Sequence, residues 1–426
     1  MWIFYDLIFF AFSLIYLPYL FIRRKYHRGY VQRLGVFPED FYAGIKNKKA
    51  IWIHAVSVGE VNASRLLWEK LRNKYTEYKI VLSTTTRTGN LLAKKFALPG
   101  DSVIYSPLDL SFVVRKFLLV IKPSLLIILE TEIWPNLILK SSRFKIPVVL
   151  VNARVSDKAF KRYRLVKFFL KPVLRRISLV LAQSDKDKDR FINLGVNQEK
   201  VLVTGNMKFD YVDIKDVDCK KLKRELGLKD KEKLITAGST HKGEEEIILE
   251  AYKELLPQYP DLRLIIAPRH PERTAEVVKL IIKFGFMSIK ISSIVKDLPD
   301  TEGKVQIFIL DTVGQLKDFY AIADIVFVGG SLVKKGGHNI IEPAIFSRPI
   351  VSGKHFFNFS DVFKAFQEKN AIIICGNKEE LKNCLIELLN KPEEREKLGM
   401  RAHEVVLGER GATERNLNWL FTYLDR

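Results

Sequence analysis

Residues 50–72, AIWIHAVSVGEVNASRLLWEKLR, constrain the fold more than any other stretch. AIWIHAV is an unbroken apolar, β-rich run, which fits a strand buried on both faces. Ser57-Val58-Gly59 is turn chemistry. From Glu60 the period changes, with Val61, Leu66, Leu67 and Leu71 at helical spacing. A buried strand that turns directly into an amphipathic helix is the repeating block of a parallel α/β sheet. It also sets one acid, Glu60, at the helix start, outside the carboxyl end of the strand, where open α/β sheets bind ligands. An acid there complements the helix dipole without any further role, and position alone weighs the two readings equally. As a carboxylate at a helix N-terminus, Glu60 is expected to have a depressed pKa.

The alternation continues. Strands are expected at 51–54, 79–83, 125–129, 148–152, 179–183 and 201–204, and again at 234–237, 262–267, 305–310 and 325–328. A chain of 426 residues is too long for one ordinary core and suits two α/β domains. Residues 211–222, polar and charged, read as the linker between them. The expected division is 1–24, 25–212 and 213–426, with the helical stretch from 393 to 426 able to pack back across both domains. The three cysteines, Cys219, Cys375 and Cys384, have no metal-like spacing and suit a reducing compartment.

Residues 2–22, WIFYDLIFFAFSLIYLPYLFI, are almost wholly apolar, and Arg23-Arg24-Lys25 follows at once. A single-pass membrane anchor is expected at 1–24, with everything after it on the cytoplasmic side. Asp6 and Pro18 would also permit an interfacial helix. The charge is uneven. Residues 1–212 carry 36 Lys and Arg against 16 Asp and Glu, net +20, whereas 213–426 carry 34 against 33, net +1. One half meets something anionic: lipid, a phosphorylated substrate or nucleic acid. Residues 152–176 concentrate this charge, with eight Lys or Arg after Asp157 interleaved with Phe160, Tyr163, Phe168 and Phe169. That pattern fits a membrane-surface face. No nucleic-acid motif accompanies it.

Further motifs stand at strand ends. Glu130 and Glu132 in ETEIWPN (130–136) belong where acids are rare unless they point into a crevice. Thr84-Thr85-Thr86-Arg87-Thr88-Gly89 is by default a helix cap and turn. In the second half, Gly/Ser/Thr-rich turns occur at 238–244 and 329–331, and Gly336-Gly337 opens GGHNIIEP (336–343). A Gly pair there suits phosphate, and Glu342 could take both hydroxyls of a ribose. Neither a GxGxxG nor a Walker A motif is present.

Taken together, HAVSVGE (54–60), ETEIWPN (130–136), NARVS (152–156), TGNMKFD (204–210), GSTHKGEE (238–245), PRHPER (268–273) and GGHNIIEP (336–343) resemble the 3-deoxy-D-manno-octulosonic acid (Kdo) transferases of lipopolysaccharide biosynthesis. The resemblance covers essentially the whole chain. It implies a GT-B glycosyltransferase: two Rossmann-like α/β domains facing across a cleft, with an N-terminal membrane-anchor helix, located at the cell inner membrane. It implies CMP-Kdo as donor, a lipid A precursor as acceptor, an anionic inner-membrane lipid surface as partner, no nucleic acid, and neither cofactor nor metal. By the same similarity Glu60 is the general base, and Glu130 and Lys208 stabilise the transition state. CMP would lie against Pro268, Arg269, Val313, Gly314, Gln315, Asn339, Ile340, Ile341 and Glu342. Many members carry Glu where this chain has Gln315, so that contact departs from the pattern. The rival expectation is a GT-B enzyme using a UDP-sugar, of the peptidoglycan N-acetylglucosaminyltransferase type.

Overall fold

The computed structural model describes residues 5–7, 9–11, 29–210, 217–294 and 306–425. It divides into two compact units, residues 1–211 with 409–426, and residues 212–408. The first is built on seven strands: β1 (Ala50–His54), β2 (Lys79–Thr84), β3 (Ser102–Tyr105), β4 (Pro123–Leu129), β5 (Val148–Ala153), β6 (Leu179–Ala182) and β7 (Val201–Val203). All pair in parallel, in the order β3-β2-β1-β4-β5-β6-β7. The chain runs outward from β1 through β2 to β3, then returns to lay β4 on the other flank of β1. The order therefore reverses between β1 and β4, and ligands bind at such a switch point in open α/β sheets.

The unbroken apolar runs are explained by burial on both faces. In β1, Ala50 and Trp52 join one core cluster while Ile51 and Ile53 join the other. Parallel strands covered by helices on both sides need no polar alternation. The helix Ala412–Leu424 supplies part of that cover: Ala412, Leu417, Leu420 and Leu424 pack with Ile51, Ile127 and Val149. The end of the chain thus belongs to the first unit.

The second unit has β8 (Lys233–Thr240), β9 (Leu262–Pro268), β10 (Ser288–Lys290), β11 (Ile307–Ile309), β12 (Ile325–Val328), β13 (Ile350–Gly353) and β14 (Ile373–Cys375). Again all are parallel, ordered β10-β11-β9-β8-β12-β13-β14, with the reversal between β8 and β12.

Several expectations need correction. β3, β10, β13 and β14 were not foreseen, and the strand expected at 305–310 is confined to Ile307–Ile309. β3 and β10 are half-exposed, and β13 ends in Ser352-Gly353, so none presents a long apolar run. The linker expected over 211–222 already becomes helix at Cys219, where Asp218 caps Cys219–Glu225 by accepting from Lys221 N at 2.9 Å.

The anchor expected at 1–24 lies outside the described residues except for 5–7 and 9–11, and among the described residues no helix is long and apolar enough to cross a membrane. Tyr5 and Asp6 are tied to the first unit. The Tyr5 hydroxyl donates to Asp109 at 2.9 Å, and Asp6 accepts from Ser111 N at 3.0 Å and Asn136 Nδ2 at 2.7 Å. Asp6 is therefore not a stray polar break in an apolar stretch. It satisfies an N–H at the start of helix Ser111–Ile121, which has no side-chain cap of its own.

Candidate active site

Glu60 lies in the first turn of helix Val58–Lys74, directly after β1. Its neighbour Ser57 is the helix N-cap, whose side chain accepts the Glu60 N–H. The Glu60 carboxylate accepts from Val56 N at 2.8 Å through one oxygen and from the Ser57 hydroxyl at 2.8 Å through the other. The side chain is 6% exposed. Burial raises its pKa to about 8, aided by the charges of Glu130 and Glu132 and opposed by the Val56 and Ser57 donors. The pKa is raised rather than depressed as expected: desolvation and the charges of Glu130 and Glu132 outweigh both hydrogen bonds.

Glu130 follows β4, across the switch point from Glu60. Its backbone is left-handed, φ 54°, while its N–H still donates to Val151 O at 3.0 Å. A glutamate held in that region costs about 1 kcal/mol or more, and such strain concentrates at functional sites. Its carboxylate takes Lys208 Nζ at 3.1 Å. Lys208 sits on the short turn Met207–Phe209 after β7, between two buried side chains, Met207 and Phe209. Glu132, two residues on, accepts the Trp134 indole N–H at 2.9 Å, and burial raises its pKa. Glu60, Glu130 and Lys208 therefore share one edge of the first unit, linked by charge and by an ion pair.

His54 also faces this edge of the sheet. Trp52 Nε1 donates to Ser83 Oγ at 2.8 Å, which leaves the Ser83 hydroxyl to donate to His54 Nδ1 at 2.8 Å. The ring is fully buried, its pKa is lowered to about 3 by burial, and Nε2 has no partner among the described residues. The cluster at 84–89 is a cap: Thr86 accepts Gly89 N at 3.1 Å and its hydroxyl donates to Val56 O at 3.3 Å, which braces the turn before Glu60.

In the second unit the expected nucleotide residues lie at the end of β9 and after β9, β11 and β12, beside the end of β8. They are not equivalent. The side chains of Ile340 and Ile341 are core, and Pro268 is buried. Arg269 is exposed, and its charge bears on Glu342, His338 and His241. The pKa of Glu342 is raised by burial, and Asn339 Nδ2 donates to it at 3.2 Å while Asn339 Oδ1 accepts Ile341 N at 3.1 Å. Val313, Gly314 and Gln315 form an exposed loop, with Gly314 at φ 94° and Gln315 accepting the Thr312 hydroxyl. The Gly337 amide, read as a phosphate donor, already donates to Gly330 O at 2.8 Å.

Three residues were missed. His241 and His338 stack with their Nε2 atoms 2.8 Å apart. Burial lowers His241 to about 4, with the charges of His270, Lys335, Arg273 and Arg269, and lowers His338 to about 3. Both rings are thus neutral near pH 7. Glu244, wholly buried, accepts Gly330 N (2.7 Å), Ser331 N (2.9 Å), Leu332 N (2.9 Å) and His241 N (3.0 Å). It ties the loop after β12 to the turn after β8. An acid pair opening a helix was visible in GEE, but a carboxylate serving a loop 86 residues away leaves no local signal. Among the described residues no group of three or more His, Cys, Asp or Glu is placed to hold a metal ion.

Comparison with known proteins decides the family. Residues 28–211 match the family described as 3-deoxy-D-manno-octulosonic-acid transferase (kdotransferase), and 294–405 match glycosyl transferases group 1. A Kdo transferase of Haemophilus influenzae is 39% identical over 407 residues, covering 94% of this chain and 93% of that one. The chain belongs to the Kdo transferase family. It is a glycosyltransferase that transfers Kdo in lipopolysaccharide biosynthesis. A Kdo transferase of Rickettsia felis is 34% identical over 80% of this chain and 72% of its own length. Among solved structures, a UDP-N-acetylglucosamine 2-epimerase from Neisseria meningitidis, 15% identical, superposes with TM-score 0.59 over 88% of this chain and 100% of that one. At that identity the likeness concerns the fold alone, the two-sheet GT-B type.

Proposed function

We propose that this Kdo transferase takes Kdo from CMP-Kdo to a primary hydroxyl of a lipid A precursor, with inversion at the anomeric carbon. The observation that carries the proposal is the buried Glu60 carboxylate at the switch point of the first unit, raised to about 8 and facing the charge of Glu130. Glu60 takes the acceptor's hydroxyl proton. The oxygen attacks the anomeric carbon as the bond to the CMP phosphate breaks, and the electron pair leaves with the phosphate. A base whose pKa lies near the working pH suits this role better than an ordinary carboxylate. Lys208 meets the negative charge of the sugar carboxylate or phosphate, and Glu130 supports positive charge developing on the sugar ring. No step calls for a metal or cofactor.

In this proposal the first unit (1–211 with 409–426) receives the acceptor and the second (212–408) holds the donor. Arg269 contacts the phosphate as a charged donor, Glu342 and Asn339 hold the ribose, and Val313, Gly314 and Gln315 flank the nucleotide. Pro268, Ile340 and Ile341 contribute shape and backbone. The enzyme works at the anionic inner-membrane surface. Helices Asp157–Leu165 and Lys167–Leu174 support this, because Leu165, Phe168 and Phe169 are 87%, 79% and 55% exposed among six Lys and Arg. Segment 1–24 is proposed to add to that attachment. Incubation with CMP-Kdo and a lipid A precursor, followed by product mass, tests the reaction. A gain of one or more Kdo units is expected, and a product formed only from a UDP-sugar would overturn it.

A further inference from the structure

TGNMKFD contains one acid, Asp210, that the mechanism does not use. Its carboxylate leaves its own loop. One oxygen accepts Gly411 N at 2.7 Å and the other accepts Thr413 N at 2.5 Å. Those N–H groups open the helix Ala412–Leu424, whose N-cap, Gly411 at φ 89°, offers no side chain. Asp210 is therefore the cap of a helix whose N-cap lies 201 residues further along the chain, placed where an anion also meets the positive end of the helix dipole.

Other pins hold the same loop. Arg415, on the first turn of that helix, donates Nε to Thr204 O at 2.7 Å. Gly205 passes beneath the Arg415 guanidinium at φ 89°, and a Cβ there would lie 2.8 Å from Nη2. Asn152, itself left-handed at φ 54°, accepts Met207 N at 3.0 Å, and Asn206 accepts Lys208 N at 3.0 Å. Met207 packs with Ala412 and Leu417 in one core cluster. With Met207 and Phe209 both buried, the turn leaves Lys208 one direction, toward Glu130 at 3.1 Å.

We infer that Asp210 is a positioning residue: by capping the last helix it locks the turn that aims Lys208 at Glu130, so the C-terminal helix is part of the catalytic apparatus although it touches no reacting atom. The inference rests on the roles proposed for Glu60, Glu130 and Lys208. A chain that closes on its own catalytic loop gains precision from a rigid element, and small misplacements of a positioned group cost rate steeply.

The test is the pH dependence of kcat/KM in the full-length enzyme. The charges bearing on Glu60 are Glu130 and Glu132, after β4, and Lys208 offsets Glu130 through their ion pair. When Lys208 swings away, the repulsion from Glu130 is no longer offset, and the acidic limb moves to higher pH. Asp210→Asn, Asp210→Ala and Arg415→Met are expected to lower kcat about 10–100-fold, with the KM for the donor unchanged and the limb displaced in the same direction as in Lys208→Met. If these variants lose thermal stability yet keep kcat and the limb below their melting temperatures, Asp210 is a helix cap only and the inference is wrong. Arg415→Met attacks the clamp from the other side, so one variant that fails to fold does not end the test. If Lys208→Met itself leaves kcat and the limb in place, the proposed site fails and the clamp has nothing to position.

Discussion

Glu60 and Ser57 hold each other twice: the Ser57 hydroxyl donates to the Glu60 carboxylate at 2.8 Å, and Ser57 Oγ accepts the Glu60 N–H at 3.4 Å. The helix cap and the proposed base are thus one structure, and cutting it has two separable effects. Ser57→Ala removes the cap, for about 1 kcal/mol of stability. It also removes a donor that favours the ionised carboxylate, so the acidic limb of kcat/KM moves to higher pH. Melting curves and a pH–rate profile of the same variant measure both. A limb that stays put would mean that the hydroxyl does not govern Glu60.

Glu60→Gln keeps the shape and removes the proposed base. A rate loss of about 10²–10⁴ is expected, typical of general-base catalysis. The same variant reads the cost of the site. Glu60 rises from 4.5 to about 8 on folding, so the folded state binds the proton more tightly and stability contributed by this group is lost as pH rises through that window. Gln has no such loss. The melting temperature of Glu60→Gln relative to wild type is therefore expected to rise between pH 5 and pH 9, and a constant difference would contradict the raised pKa. Glu130→Gln removes the nearest like charge and should shift the acidic limb of its residual kcat/KM to lower pH.

The central strands of both sheets were readable because burial on both faces writes an unbroken apolar run, as in IWIH and LLIIL. Edge strands such as β3 and β10 were not, since half-exposed residues carry no such run. Glu60 could be singled out from the strand–turn–helix pattern, but its pKa could not. The direction depends on how deeply the turn is buried and on Glu130, which is 70 residues away and turned by a left-handed backbone. The same limit hid Glu244 and the His241–His338 pair. Their partners are set by the order β9-β8-β12, in which the chain's eighth and twelfth strands become neighbours, and no local spacing records that.

Glu244 is expected to be the most costly single polar position in the second unit. Two of its four backbone donors, Gly330 N and Ser331 N, are buried and the other two partly so, and an amide in its place would turn an NH₂ group toward N–H groups. An unsatisfied buried donor costs about 1–3 kcal/mol, so Glu244→Gln should lose about 3 kcal/mol or more. The loop Gly330–Leu332 should open first, seen as faster amide exchange there and at His241, and binding of CMP should weaken alongside. Unchanged exchange at residues 330–332 would show that the carboxylate does not hold the loop.

The basic helices at 157–174 make the last prediction, because charge and apolar contact separate experimentally. Attraction of Lys and Arg to an anionic surface is worth about 1 kcal/mol per residue and is screened by salt. Insertion of Phe is worth about 1.5–3 kcal/mol per fully buried side chain and is not screened. Phe168 and Phe169 stand 79% and 55% exposed, while Phe160 and Tyr163 on the preceding helix pack on the core. Phe168→Ser/Phe169→Ser should therefore leave the fold intact and weaken binding to anionic phospholipid vesicles about 100-fold, with the salt dependence retained. Lys167→Gln/Lys171→Gln should instead flatten the salt dependence. If the double Phe variant binds vesicles as tightly as the wild type, these rings do not enter the bilayer and attachment resides in the charge or in the N-terminal segment. Transfer to a water-soluble, deacylated acceptor should be unaffected in both variants, since the ion pair of Lys208 with Glu130 and the proposed base Glu60 lie on other elements of the unit.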